Sequence, residues 1–192
     1  MTMTEREGAP HRRPRKKRRH PLRWLIALLA LAAGGWFWFQ WQCWGLQTTH
    51  TQVALSGLPQ GFDGYKIVHL SDLHGHEYGE GSRELLDRVR REQPDLIVIT
   101  GDLIDQKSQM TMISPLAQGL AAIAPTYYVT GNHEWALGTG AVKELKALLI
   151  QCGVTPLSNQ YEVLERGGDR LVLAGVDDPN GYADQTTPEE LY

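Results

Sequence analysis

Three short blocks hold the residues best suited to chemistry: Asp72-Leu73-His74, Gly101-Asp102-Leu103-Ile104-Asp105 and Gly131-Asn132-His133-Glu134. Asp72, Asp102 and Asn132 follow one another at intervals of thirty residues. Carboxylate oxygens, imidazole nitrogens and an amide oxygen are the donors that hold Mn, Fe or Zn. Two carboxylates, two imidazoles and an amide gathered in one place are too polar for a core. Without a cation between them they would repel and desolvate one another. Taken singly, an Asp after an apolar run reads equally well as a helix N-cap, and an Asn-His pair as loop. The order and even spacing of all three blocks favour a metal site. Glycines beside Asp102 and Asn132 let the backbone turn sharply and leave room for a ligand.

Each block follows a short apolar run, and these runs supply the frame. Residues 66–71, 96–100 and 126–130 read as buried strands. Residues 83–92, 114–124 and 140–151 read as helices, with Pro115 suited to a first turn and Gly153 to a C-cap. About thirty residues is one strand–helix–strand step, so the blocks recur at the same point of consecutive units. Near-continuous apolar strands alternating with helices predict an α/β fold with a parallel sheet covered on both faces. In such a sheet the ligand site lies beyond the carboxyl ends of the strands. Residues 161–165 and 170–176, joined by Gly167-Gly168, predict a hairpin.

Other candidates fit plainer roles. His69 lies within a strand and reads as a packing histidine; His76 reads as a loop residue. Asp105 reads as a brace for the loop after Asp102, and Asp177-Asp178 as turn residues before Pro179-Asn180-Gly181. His133-Glu134 does not continue into a zincin motif, because residue 137 is Leu. No P-loop, Gly-x-Gly-x-x-Gly or Gly-x-Ser-x-Gly element is present. Cys43 and Cys152 lack the number and spacing of a disulfide framework or zinc knuckle.

The three blocks resemble the calcineurin-like metallophosphoesterases, whose pattern is D-x-H, GD-x-x-D, GNH-[DE], then a lone His and a terminal G-H-x-H. The resemblance runs over about residues 63–181 and is similar in its later part, residues 171–178, to the bacterial, membrane-anchored branch. It implies a double β-sandwich flanked by helices, of which this chain would be the N-terminal half. It implies two divalent metal ions, with Asp72 and His74 on one, Asp102 bridging both, and Asn132 on the second. His133 would be the catalytic residue, facing the substrate phosphate and serving the leaving group. The implied reaction is hydrolysis of a phosphate ester or pyrophosphate bond, the substrate a phosphorylated small molecule or lipid-linked phosphate. No histidine follows His133, so the lone His and G-H-x-H block are absent from these 192 residues. The resemblance therefore predicts a phosphoesterase domain, 63–192, incomplete at its C-terminus. A catalytically inactive remnant acting as a membrane-anchored binding protein is the alternative.

Charge is divided along the chain. Residues 1–23 carry a net charge of +7, and the remainder −10. A basic tail on an acidic body argues against specific nucleic-acid binding by the whole protein. Residues 24–44 contain no charged side chain, and 21 residues span roughly 31 Å as a helix, close to a hydrocarbon core of about 30 Å. Its second half is rich in Trp and Phe, as at a membrane interface. The expectation is a cytoplasmic tail (1–23), a transmembrane signal anchor (24–45), a linker (46–62) and the domain on the outer side of the cell membrane. A cleavable signal peptide with Ala30-Leu31-Ala32 as its site, a nuclear-targeting basic run and a loose twin-arginine signal at Arg18-Arg19 are the other readings.

Overall fold

A computed structural model describes residues 21–179, 181, 186–187 and 190. The basic run before Pro21, and Pro188, Glu189 and Leu191, lie outside the described residues. The chain divides into two units at His50 and Thr51. The described part of the first is helix α1 (Pro21–Trp44). Pro21 to Phe39 is the one described helical stretch long and apolar enough to cross a membrane. Its Leu, Trp and Phe side chains up to Phe39 are exposed.

The second unit is built on strands β1 (Ile67–Leu70), β2 (Leu96–Thr100), β3 (Thr126–Val129) and β4 (Thr155–Pro156), which lie side by side in chain order, all parallel. Helices α2 (Arg83–Glu92), α3 (Met110–Ala121) and α5 (Thr139–Gln151) connect them. The fold class is thus α/β, as the alternation of apolar runs and helices implies. Register pairs Leu70 with Ile99 and Thr100 with Val129, so β1, β2 and β3 end together. That brings the three loops carrying the polar blocks to one edge.

Side chains alternate between the two faces of the sheet. Ile97, Ile99 and Tyr128 point to the face covered by the helices and are buried. There α3 packs against both α2 and α5. Leu96, Val98, Tyr127 and Val129 share the opposite face. That face is also covered, as the strand pattern implies, here by a β-hairpin. Leu164 of β5 (Gln160–Arg166) and Leu173 of β6 (Asp169–Gly175) pack there, against Leu96, Tyr127 and Leu157. The hairpin is antiparallel, and Gly167 and Gly168 both take positive φ, as a two-residue primed turn requires. It does not reach β1. Ile67 stays 53% exposed, and His69 is exposed rather than packed, with Nε2 2.6 Å from Thr100 Oγ1.

Two boundaries differ from the sequence expectation for local reasons. Helix α3 begins at Met110, so Pro115 sits inside it. A proline there forfeits one helical hydrogen bond. The stripe Met110, Ile113, Leu116, Ala117 and Leu120 is buried and outweighs that loss. Strand β4 is two residues long, too short to read from pattern, and its Pro156 sits on a sheet edge, where proline is tolerated. Gly153 does end α5: it has φ +87°, and the Gly153 and Val154 N–H groups donate to Ile150 O and Leu149 O, a Schellman closure.

Candidate metal centre

The loops after β1 and β2 are tied to one another by backbone. Asp72 N donates to Gly101 O (3.3 Å), His74 N to Asp102 O (2.8 Å) and Gly75 N to Leu103 O (2.8 Å). Asp72, His74 and Asp102 all have positive φ, at 55°, 49° and 51°. Such a conformation costs about 1–3 kcal/mol per residue and persists only where surrounding contacts over-determine it. Here the contacts are the inter-loop bonds, and the effect is to turn three polar side chains toward a common point.

The glycines have a steric reason. Gly101 has φ +81°, and a Cβ on it would collide with the backbone of Gly131. A Cβ on Gly131 would collide with the Asp102 carboxylate. The second and third loops therefore cross in contact, which only glycine permits at both positions.

Beneath this crossing lies Glu134, 1% exposed, on the short helix α4 (Asn132–Ala136). Its Oε1 accepts from Leu103 N (2.5 Å) and Ile104 N (3.2 Å), and its Oε2 from Asp102 N (3.0 Å) and Gly131 N (2.8 Å). One carboxylate thus satisfies four backbone donors from two loops. The Tyr128 hydroxyl is also buried there and has no hydrogen-bond partner among the described residues. Burial, and then the nearby Glu134, Asp177 and Asp102, push its pKa well up.

Of the predicted site residues, Asp72, His74 and Asp102 each offer a ligand atom within 4.8 Å of the others. Asp72 Oδ1 lies 3.9 Å from His74 Nε2. Two donors about 2.1 Å from one cation stand roughly 3–4 Å apart, depending on angle, so this gap fits a divalent metal. His74 turns its other nitrogen, Nδ1, to Asp105 Oδ1 at 2.8 Å. A carboxylate behind a ligating imidazole fixes its orientation and raises its basicity. The donor set therefore suits a metal of the Mn, Fe or Zn kind. Asn132 is the first residue of α4, and its neighbour His133 donates its backbone N–H to Asp102 Oδ1 (3.0 Å).

His133 stands beside this set. Its Nδ1 lies 2.7 Å from the same Asp105 Oδ1, and its ring meets that of His74 edge-on, 4.7 Å between centroids. Asp105 thus braces two imidazoles, a larger role than steadying its own loop. The hydrogen bond to Asp105, reinforced by the charges of Asp105, Asp102 and Asp72, raises the His74 pKa against the opposing effect of burial. Asp105 is correspondingly lowered, chiefly by its hydrogen bond to His74.

A sequence profile described as calcineurin-like phosphoesterase matches residues 65–190. This chain belongs to that family. It is 38% identical over 140 residues to a bovine transmembrane protein with metallophosphoesterase domain, covering 68% of this chain and 31% of the relative. It is 32% identical over 161 residues to an uncharacterized metallophosphoesterase, YkuE, of Bacillus subtilis, covering 80% of this chain and 56% of the relative. It is 31% identical over 119 residues to the phosphodiesterase YaeI of Escherichia coli, covering 59% and 44%. The chain thus spans between about a third and somewhat over half the length of these relatives.

Two residues have roles that the sequence reading did not assign. Glu134 stands inside the third block, but nothing in its position shows that it faces inward. Asp177 reads as a turn residue, yet it is buried. It accepts hydrogen bonds from Thr130 and Lys146. Its signal was available: it follows closely on an apolar strand, as Asp72 and Asp102 do.

Proposed function

We propose that this phosphoesterase hydrolyses a phosphate ester or pyrophosphate bond with two divalent cations, at a membrane. The observation that carries the reading is the convergence of Asp72, His74 and Asp102, with His74 and His133 oriented by one carboxylate, Asp105. In this reading Asp72 and His74 hold one cation, Asn132 the other, and Asp102 both. Two cations supply a charge clamp on the attacking and leaving oxygens of an in-line displacement. His133, its Nδ1 engaged with Asp105, presents Nε2 to the substrate phosphate and gives a proton to the leaving oxygen. The apolar helix α1 and the transmembrane relatives support anchoring; the charge of the basic tail would keep that end cytoplasmic and put the domain outside. A lipid-linked or other envelope phosphate is the substrate class that anchoring favours.

A second reading is metal binding without turnover, since Asp72, His74 and Asp102 gather as a three-donor group that would hold a single cation. One experiment separates the two. The detergent-solubilised full chain is titrated with Mn²⁺ and assayed on an aryl phosphate, beside Asp102→Ala and His133→Ala. The first reading expects metal-dependent turnover, loss of metal in Asp102→Ala, and retained metal with turnover down about 10²–10⁴-fold in His133→Ala. Retained metal with hydrolysis at background supports the second. Loss of metal in His133→Ala refutes the roles assigned.

A further inference from the structure

The geometry points to Asp177 as a positioning residue for the loop carrying Asn132 and His133, an inference that rests on the metal-centre reading. Asp177 follows β6, and its side chain is 5% exposed. Both carboxylate oxygens are used. Oδ1 accepts from Thr130 N (3.2 Å) and Thr130 Oγ1 (2.7 Å), across 47 residues of sequence. Oδ2 accepts from Lys146 Nζ on α5 (2.7 Å). The Thr130 hydroxyl in turn accepts from Trp135 Nε1 (2.9 Å). Lys146 Nζ also stands 5.6 Å from the centre of the Trp135 ring. On the other side, the Asp177 backbone N–H donates to Asn159 Oδ1 (3.1 Å), fixing the carboxylate's own origin.

The partners matter more than the number of bonds. Thr130 is the residue before Gly131, and Trp135 the residue after Glu134. Asp177 therefore grips one end of the four-residue segment that presents Asn132 and His133 directly, and the other end through the Thr130 hydroxyl. Glu134 ties that segment to the Asp102 loop through a different set of bonds, so the two clamps are distinct. A buried Lys–Asp pair contributes little net stability compared with apolar residues of the same volume. Its use here is placement: donors must be held within roughly 0.5 Å of a productive geometry to bind and act. Groups that orient metal ligands typically change metal affinity about 10–100-fold when removed.

The test compares Lys146→Met/Asp177→Asn with Lys146→Met/Asp177→Ala in the full chain in detergent. The lysine is replaced in both so that no buried cation is orphaned. The asparagine variant keeps an oxygen for Thr130; the alanine variant does not. Without metal, backbone amide exchange at residues 131–135 should quicken about tenfold or more in the alanine variant, stay unchanged in β2, and return in the asparagine variant. With Co²⁺ alone as probe, the alanine variant should bind about tenfold or more weakly, with an altered visible spectrum, and the asparagine variant should restore both. Unchanged exchange at 131–135, or a rise shared equally by β2, overturns the inference. So does faster exchange with Co²⁺ affinity and spectrum unaltered. If the alanine variant does not fold, Thr130→Val breaks the same link between Asp177 and Trp135 at nearly constant volume, and the same outcomes decide. Failure of the unmutated chain to bind Co²⁺ counts against the metal-centre reading, while the exchange measurement still judges the clamp.

Discussion

Replacing Glu134 with glutamine should unfasten the site from below. The side chain is buried and holds four backbone N–H groups, two on each oxygen. An amide keeps one acceptor oxygen and turns a nitrogen toward the other pair of donors. Two hydrogen bonds are lost, and two donors are left facing an N–H group. Hydrogen bonds to charged partners contribute about 1.5–3 kcal/mol each, and the losses share one site, so the expected cost is about 3 kcal/mol. That is a large share of the roughly 5–15 kcal/mol that holds a typical domain. With a urea dependence of about 1.5 kcal/mol per molar, the unfolding midpoint should fall by about 2 M. Pulse proteolysis in urea on the detergent-solubilised chain reads this midpoint for the folded unit. The damage should also reach the metal: Co²⁺ binding should weaken, because the Asp102 loop loses its tether to Gly131. A midpoint shift under about 0.3 M, the size of an ordinary surface change, would refute the idea that this carboxylate clamps the two loops.

Three further outcomes follow from the same geometry. Gly131→Ala should abolish Co²⁺ binding and cost about 1–3 kcal/mol as overpacking, since its Cβ meets the Asp102 carboxylate; normal binding in this variant would show that the loops do not cross so closely. In chelator, the raised His74 pKa makes the His74–Asp105 pair stabilising below the unfolded histidine pKa, and that contribution is lost as pH rises through the folded value. Thermal unfolding from about pH 6 to about pH 8 should show the loss in the original chain and not in His74→Gln. A reporter fused after residue 50 should be translocated across the membrane, driven by the +7 flank; a reporter retained in the cytoplasm would reverse the assigned orientation.

The sequence alone determined the alternation of apolar runs and helices, the placement of polar blocks after three strands, and the turn at Gly167-Gly168. These are local matters: a strand or hairpin turn depends on neighbouring residues, and regular spacing survives in one dimension. It also showed which residues are chemically able to bind a metal. It did not show that Asp105 serves His74 and His133 together, because contact among the loops after β1, β2 and β3 depends on register. Nor did it reveal Glu134 and Asp177 as buried clamps. A carboxylate reads as a surface group until the backbone donors that satisfy it are brought near, and those of Asp177 lie 47 residues away. Proline misled the start of α3 because its local cost is visible in sequence, while the buried stripe that offsets it is not. His69 was misplaced for the opposite reason. Its strand is apolar enough to be interior, but burial depends on what covers that face, and the hairpin stops short of β1.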